Sequence, residues 1–127
     1  MAQVNPQFAQ IGEQFVQHFY NTFDTNRMGL TQLYTNDSML TFEGEAFQGQ
    51  QKIMEKLNNL KFSKIAHKLT KVDCQPNPFN NGVMIFVTGD LKVDEDDNVL
   101  KFAEVFHLVP HGGSFIIIND MFRLNIG

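Results

Sequence analysis

The stretch that decides the fold is Val83–Val109, VMIFVTGDLKVDEDDNVLKFAEVFHLV, within a chain of 127 residues. Val83, Ile85, Val87, Leu91 and Val93 share one face of a period-two pattern, and Val99–Val109 alternates in the same way. Period two marks pleated strands with one face buried, so the stretch reads as a β-hairpin. Between its strands lie four consecutive carboxylates, Asp94-Glu95-Asp96-Asp97. A tight reversal is served by Asp-Asn or Asp-Gly, and four like charges add repulsion that the turn does not require. That repulsion falls when a cation docks, which makes the knuckle a candidate landing site for a basic partner. The plainer alternative is a solvated loop tip.

Upstream of the hairpin the pattern is helical. Asn5-Pro6 is a helix start, after which Phe8, Ile11, Phe15, Phe19 and Phe23 recur as one apolar stripe until Asp24-Thr25-Asn26. A short second helix is expected around Arg27–Tyr34, a strand over Met39–Phe42, a turn at Gly44 with a return at Phe47, and a third helix over Gln50–Leu60. The rest reads as strand: Phe62–Gln75, a turn from Gln75-Pro76-Asn77-Pro78 to Gly82, the hairpin, a turn at Gly112-Gly113, and Phe115–Leu124. Helices first and strands last predict one α+β domain over residues 1–127, with three helices on one face of a curved antiparallel sheet. Phe115, Ile116, Ile117 and Ile118 are apolar on both faces, and the face away from the helices calls for a cover. A homodimer packed through the sheet supplies one.

Composition narrows the functional classes. A net charge of −4 offers no basic stripe for nucleic acid. A single cysteine, Cys74, excludes an intrachain disulfide and fits a reducing compartment. The polar first ten residues and the absence of long apolar runs lead to the expectation of a soluble intracellular protein with no membrane insertion. His18, His67, His107 and His111 lack ligand-like spacing, so no metal is expected. His67 shares a strand face with Ile65 and Leu69 and reads as a satisfied histidine; Tyr20, Tyr34 and Asp120 could in principle supply an acid/base pair inside a cavity, but nothing in their spacing selects them, and they are assigned to the core.

Several runs together carry a resemblance. Leu40-Thr41-Phe42-Glu43, Gln48-Gly49, Glu55-Lys56-Leu57, Phe62-Ser63-Lys64-Ile65-Ala66-His67, Asp73-Cys74-Gln75-Pro76, Gly89-Asp90-Leu91-Lys92-Val93-Asp94-Glu95 and Asn119-Asp120-Met121-Phe122-Arg123-Leu124 follow one another in order. Along essentially the whole chain they resemble the nuclear transport factor 2 family. The resemblance implies a cone-shaped α+β barrel, homodimeric through its sheets, with no catalytic activity and no cofactor. It implies binding to the small GTPase Ran in its GDP-bound form and to Phe-Gly repeat nucleoporins, and residence in cytoplasm and nucleus with enrichment at the nuclear pore. Carried over residue by residue, Ran binding falls on Phe42, Glu43, Asp94 and Asp96, and the hydrophobic cavity on Leu60, Ile65, Phe86, Leu91 and Phe122. Repeat binding falls on Phe8, with Asp24 near the same surface, and the dimer-side sheet on His67 and Met121. Two departures stand out: phenylalanine replaces the tryptophan of many animal members at Phe8 and Phe42, and Asp97 stands where proline is common. Two alternatives are a structural partner that heterodimerises with a related domain and an enzyme on the same scaffold. The enzyme would show a carboxylate or histidine of shifted pKa beside a tyrosine deep in the cavity.

Overall fold

A computed structural model describes residues 5–60, 64–94 and 98–125. The order is α1 (Phe8–Thr25), a 3₁₀ helix (Arg27–Leu33), β1 (Tyr34–Phe42), β2 (Glu45–Gln48), α2 (Gln50–Asn58), β3 (Ile65–Asn77), β4 (Gly82–Val93), β5 (Leu100–His111) and β6 (Ser114–Leu124). The six strands form one sheet in the order β2-β1-β6-β5-β4-β3. Every neighbouring pair is antiparallel except β1 and β6, which run parallel because β2, α2 and three strands intervene between them. The curved sheet does not close into a barrel: β2 and β3 remain as edges.

The helices lie on one face, as the apolar stripes demand. α1 buries Gly12, Val16, Phe19, Tyr20 and Phe23, one side of a 3.6-residue helix, and rests mainly on β3. Asn5 opens it a residue or two early: its Oδ1 accepts the Gln7 N–H at 3.0 Å, and the helix proper starts at Phe8. Burial alternates through β4, with Val83, Ile85, Val87 and Leu91 inward, and through β5, with Phe102, Glu104, Phe106 and Leu108 inward. In β6 the register slips beside His107–Leu108, so the inward set passes from Ile117 to Asp120 and Phe122. That slip is why four apolar residues in a row fit one strand.

Two boundaries differ from the sequence expectation. The ladder of β3 runs through Pro76 to Asn77, paired with Val83 and Gly82, instead of ending at Gln75. β3 is an edge strand, where a proline without an N–H is tolerated. β1 begins at Tyr34, because Ser38 accepts the Thr35 N–H and donates to the Ile117 carbonyl, extending the strand backwards. The expected start of a strand at Phe62, and Glu95, Asp96 and Asp97 of the acidic tip, lie outside the described residues.

Helix and sheet approach closely at Gly12. A Cβ there would overlap Cys74 Sγ and press on Ile85 Cγ1. Glycine in a helix interior normally costs about 1 kcal/mol relative to alanine. Here we expect Gly12→Ala to destabilise by about 1–3 kcal/mol, because overpacking outweighs propensity. Urea denaturation of the single variant and of Gly12→Ala/Cys74→Ala checks this. The double variant recovers most of the loss, and a stabilised single variant would refute the close approach.

Candidate functional site

The register brings one end of the sheet together. The C-terminal ends of β1, β4 and β6 and the N-terminal ends of β3 and β5 all meet there: Ile65 faces Val93, Leu91 faces Leu100, Phe102 faces Leu124, and Phe42 faces Phe122. α1 stops at Thr25 and α2 at Asn58, so among the described residues neither helix continues over the concave face at this end. The result is a cavity of about 260 Å³. Phe19 and Phe23 of α1 line it with Leu57 and Leu60 from the end of α2, Ile65 and His67 of β3, and Leu91 and Val93 of β4. Leu100 and Glu104 of β5, Asp120, Phe122 and Leu124 of β6, and Leu40 and Phe42 of β1 complete the wall. Phe42 stacks on Phe122 at 4.8 Å between ring centroids, and Phe122 on Phe102 at 5.8 Å.

Two carboxylates sit where the rim turns. Glu43 has φ 52° and Asp94 φ 52°, the left-handed region that non-glycine residues seldom occupy. Glu43 follows Phe42 directly; its N–H bonds the Phe122 carbonyl at 3.0 Å and its carboxylate accepts the Leu124 N–H. Asp94 follows Val93; its N–H bonds the Lys64 carbonyl at 2.8 Å and its Oδ1 accepts the Lys64 N–H at 3.0 Å. Backbone hydrogen bonds thus fix both acids beside the mouth. Lys56 is paired with Glu45 at 3.6 Å and lies over the rings of Phe42 and Phe47.

The structure redistributes several of the sequence-derived assignments. Leu60, Ile65, Leu91 and Phe122 line the cavity as expected. Phe86 does not: it is 45% exposed on the opposite face, as its even place between inward Ile85 and Val87 requires. His67 is not on the outer sheet face but turns inward with Ile65 and Leu69 and lines the cavity. Its Nδ1 lies 2.6 Å from Asp24 Oδ1, and its N–H donates to Asp24 Oδ2 at 2.9 Å. Asp24 therefore anchors the last turn of α1 to the edge strand, and lies about 24 Å along the helix from Phe8 at 1.5 Å per residue. Met121 is on the outer face, 51% exposed.

Sequence reasoning left Tyr20, Tyr34 and Asp120 in the core, where they are buried, and missed Glu104 on the floor of the cavity. Glu104 and Asp120, diagonal neighbours on β5 and β6, are both buried. The Tyr20 hydroxyl donates to Glu104 Oε1 at 2.7 Å, and the Tyr34 hydroxyl to Asp120 Oδ2 at 2.8 Å. Burial pushes the Glu104 carboxyl well above its usual range, and the charge of Asp120 pushes it further. Burial also raises Asp120, against hydrogen bonds from Glu104 and Tyr34 that lower it. Burial and the adjacent carboxyls keep both phenols neutral. The two buried acids accordingly favour holding one proton between them. A carboxylate between Phe102 and Phe106 on a buried face was the available signal. Among the described residues no group of three or more His, Cys, Asp or Glu side chains is arranged to hold a metal ion, and no helix is long and apolar enough to cross a membrane.

The chain is thus an α+β cone with an apolar hollow and acids at its lip. The profile of the nuclear transport factor 2 (NTF2) domain matches residues 11–124, and the chain belongs to that family. It is 48% identical over 118 residues to nuclear transport factor 2 of Saccharomyces cerevisiae, covering 93% of this chain and 94% of the relative. The solved structure of nuclear transport factor 2 from Cryptosporidium parvum superposes with a TM-score of 0.93 at 54% identity, covering 98% of this chain and 100% of that one. A scytalone dehydratase candidate from Novosphingobium aromaticivorans shares the fold alone, at 11% identity and a TM-score of 0.78, over 93% of this chain and 84% of that one.

The floor has a pH signature. Glu104 has a folded pKa above its ordinary value near 4.5, so its stabilisation is complete below that value and is lost as pH rises through the folded one. Glu104→Gln keeps a hydrogen-bonding group and cannot ionise. Its stability relative to the parent is expected to increase from about pH 5 to pH 8.5, read as urea midpoints. A difference that does not change with pH would show that Glu104 is not the titrating group.

Proposed function

We propose that the chain is a nuclear transport factor that carries Ran in its GDP-bound form into the nucleus as a homodimer, moving through the pore on Phe-Gly repeats. The observation that supports this most is the pairing of an apolar cavity with two backbone-fixed carboxylates at one mouth. An aromatic side chain of the partner enters the cavity, adding about 1.5–3 kcal/mol by burial, while basic neighbours reach Glu43 and Asp94. Close interfacial charge pairs contribute roughly 1.5–7 kcal/mol each. Selectivity for GDP follows because the γ-phosphate reorders switch loops and withdraws such an anchor. Asp96 belongs to the same acidic surface in this reading. Phe8, half-buried at the start of α1, provides a repeat slot far from the cavity, and Asp24 is left to its clamp on His67. Weak slots doubled by dimerisation suit rapid exchange at the pore. Cycling between cytoplasm and nucleus, with enrichment at the nuclear envelope, goes with that role.

The outer sheet face supports the dimer. Phe86, Val105 and Met121 form one row across β4, β5 and β6, with Met84 beside it. Phe86 and Met121 are about half exposed in the single chain, and a second copy seated on the row covers both.

One observation favours a second reading, an enzyme: the Glu104–Asp120 pair beneath the cavity, with Tyr20 and Tyr34. Both phenol hydroxyls are committed to these carboxyls, and the 48% identical relative is named a transport factor, so the carrier reading stands ahead.

Pull-down with Ran loaded with GDP or GTP tests the proposal, and capture of the GDP form alone is expected. Glu43→Lys and Asp94→Lys each weaken it by about 2–5 kcal/mol with the fold intact, whereas Phe8→Ala loses repeat binding and spares Ran. Normal binding by either charge reversal sinks the acidic-mouth mechanism. Met121→Glu is expected to sediment as a monomer. A dimer that persists in this variant and in Phe86→Glu would exclude this face as the interface.

A further inference from the structure

The cavity is walled by aromatic and aliphatic side chains, yet its floor is a pair of buried acids. At about 260 Å³ it exceeds the roughly 150 Å³ cavity that admits benzene and falls short of the roughly 300–1,000 Å³ of drug-sized sites. One ring with a short tail fits. Each floor acid receives one phenol proton, from Tyr20 and Tyr34. Asp120 is only 2% exposed, and its Oδ1 has no N–H or hydroxyl partner. With both acids ionised this oxygen faces a second carboxylate, and the pair requires one positive charge, which a proton on Glu104 supplies.

We propose that the cavity binds a small arylalkylammonium ligand, its ring among Phe19, Phe23, Phe42 and Phe122 and its ammonium on the Glu104–Asp120 pair in place of the shared proton. Three features select a cation. Among the described residues the lining contains no lysine or arginine. Arg27 lies over the ring of Phe23 and donates to the Leu57 carbonyl, while Lys56 lies over Phe42 and pairs with Glu45. Glu43 and Asp94 at the mouth add negative potential, and aromatic faces attract ammonium groups. An anionic head meets only repulsion, and a purely apolar ligand leaves the pair's proton in place and gains no polar contact from the floor.

Binding releases the pair's proton to solvent, so affinity rises with pH while the amine stays charged. The titratable groups facing the pair are Tyr20 from α1, Tyr34 at the start of β1 and His67 from β3, the last held by Asp24. The inference concerns the chain alone and does not rest on Ran.

The test is calorimetry on the full chain with 2-phenylethylamine, propylbenzene and phenylacetate. At about pH 8 the amine is expected to bind about tenfold more tightly than propylbenzene, with phenylacetate not binding and proton release evident from buffers of different ionisation enthalpy. Between pH 8 and 6 the amine weakens and propylbenzene does not. In Glu104→Gln/Asp120→Asn the preference for the amine falls to about twofold or less and propylbenzene binding persists, which separates the acids from His67. If that variant fails to fold, Asp120→Asn and the parent's pH series decide. Equal affinity for amine and hydrocarbon, no binding of either, or a preference that survives the carboxamides would overturn the inference. Ran capture is unaffected by those outcomes and stands or falls on its own assay.

Discussion

The clamp between Asp24 and His67 sets the geometry on which the hollow depends. α1 meets the sheet at Gly12, where the missing Cβ lets it approach Cys74, and at Asp24, where two hydrogen bonds tie it to β3. These two points fix the helix along the edge strand. Ile65 lies beyond the second, so α1, which ends at Thr25, does not run on over the sheet end formed by Ile65, Leu91 and Leu100. A carboxylate in the last turn opposes the helix dipole, and its place there is justified by the edge N–H and imidazole it engages. Burial raises the Cys74 thiol pKa, with Glu13 and Asp73 adding to the effect, so the cysteine serves as packing beneath the helix.

Much of this was legible in the sequence wherever a period could be counted. The alternation through Val83–Val93 placed β4 and its inward face, and the Phe19–Phe23 stripe placed α1. The same count decides the two positions where resemblance and pattern diverged. Phe86 lies between inward Ile85 and Val87 and must point out, and His67 lies between inward Ile65 and Leu69 and must point in. Family correspondence assigns a residue to a surface only as well as the register allows, and a one-residue change exchanges the faces. What period could not reveal is pairing between distant strands. The meeting of Glu104 with Asp120, and of each with a tyrosine more than 80 residues away, follows from the sheet order. The parallel β1–β6 pair was equally invisible, since local pattern carries no strand direction.

The mouth shows how a binding surface is prepared by backbone. Glu43 and Asp94 hold a conformation that costs non-glycine residues free energy, and each carboxylate accepts a main-chain N–H from a neighbouring strand end. Both acids are therefore oriented before anything docks, and a cation arriving there need not order two flexible side chains. Three of the four tip acids lie outside the described residues, so Asp94 is where the acidic run joins the sheet.

Mouth and floor impose opposite demands on stability. Rim carboxylates are solvated, and their repulsion is modest until a partner removes water. Floor carboxyls are desolvated by folding itself, and the fold tolerates them by keeping a proton between them and a phenol on each. A hydrocarbon pair of similar shape could pack beneath Phe106 and Phe122 without that requirement. Retaining two acids at the bottom of an apolar hollow therefore costs stability that the helices and sheet supply elsewhere. Residues that lower stability while facing a ligand-sized space are where selection for binding is most readily recognised. The polarity of the floor then distinguishes what can enter: an aromatic anchor that stops among the phenylalanines leaves the proton in place, whereas a cation that reaches the acids displaces it.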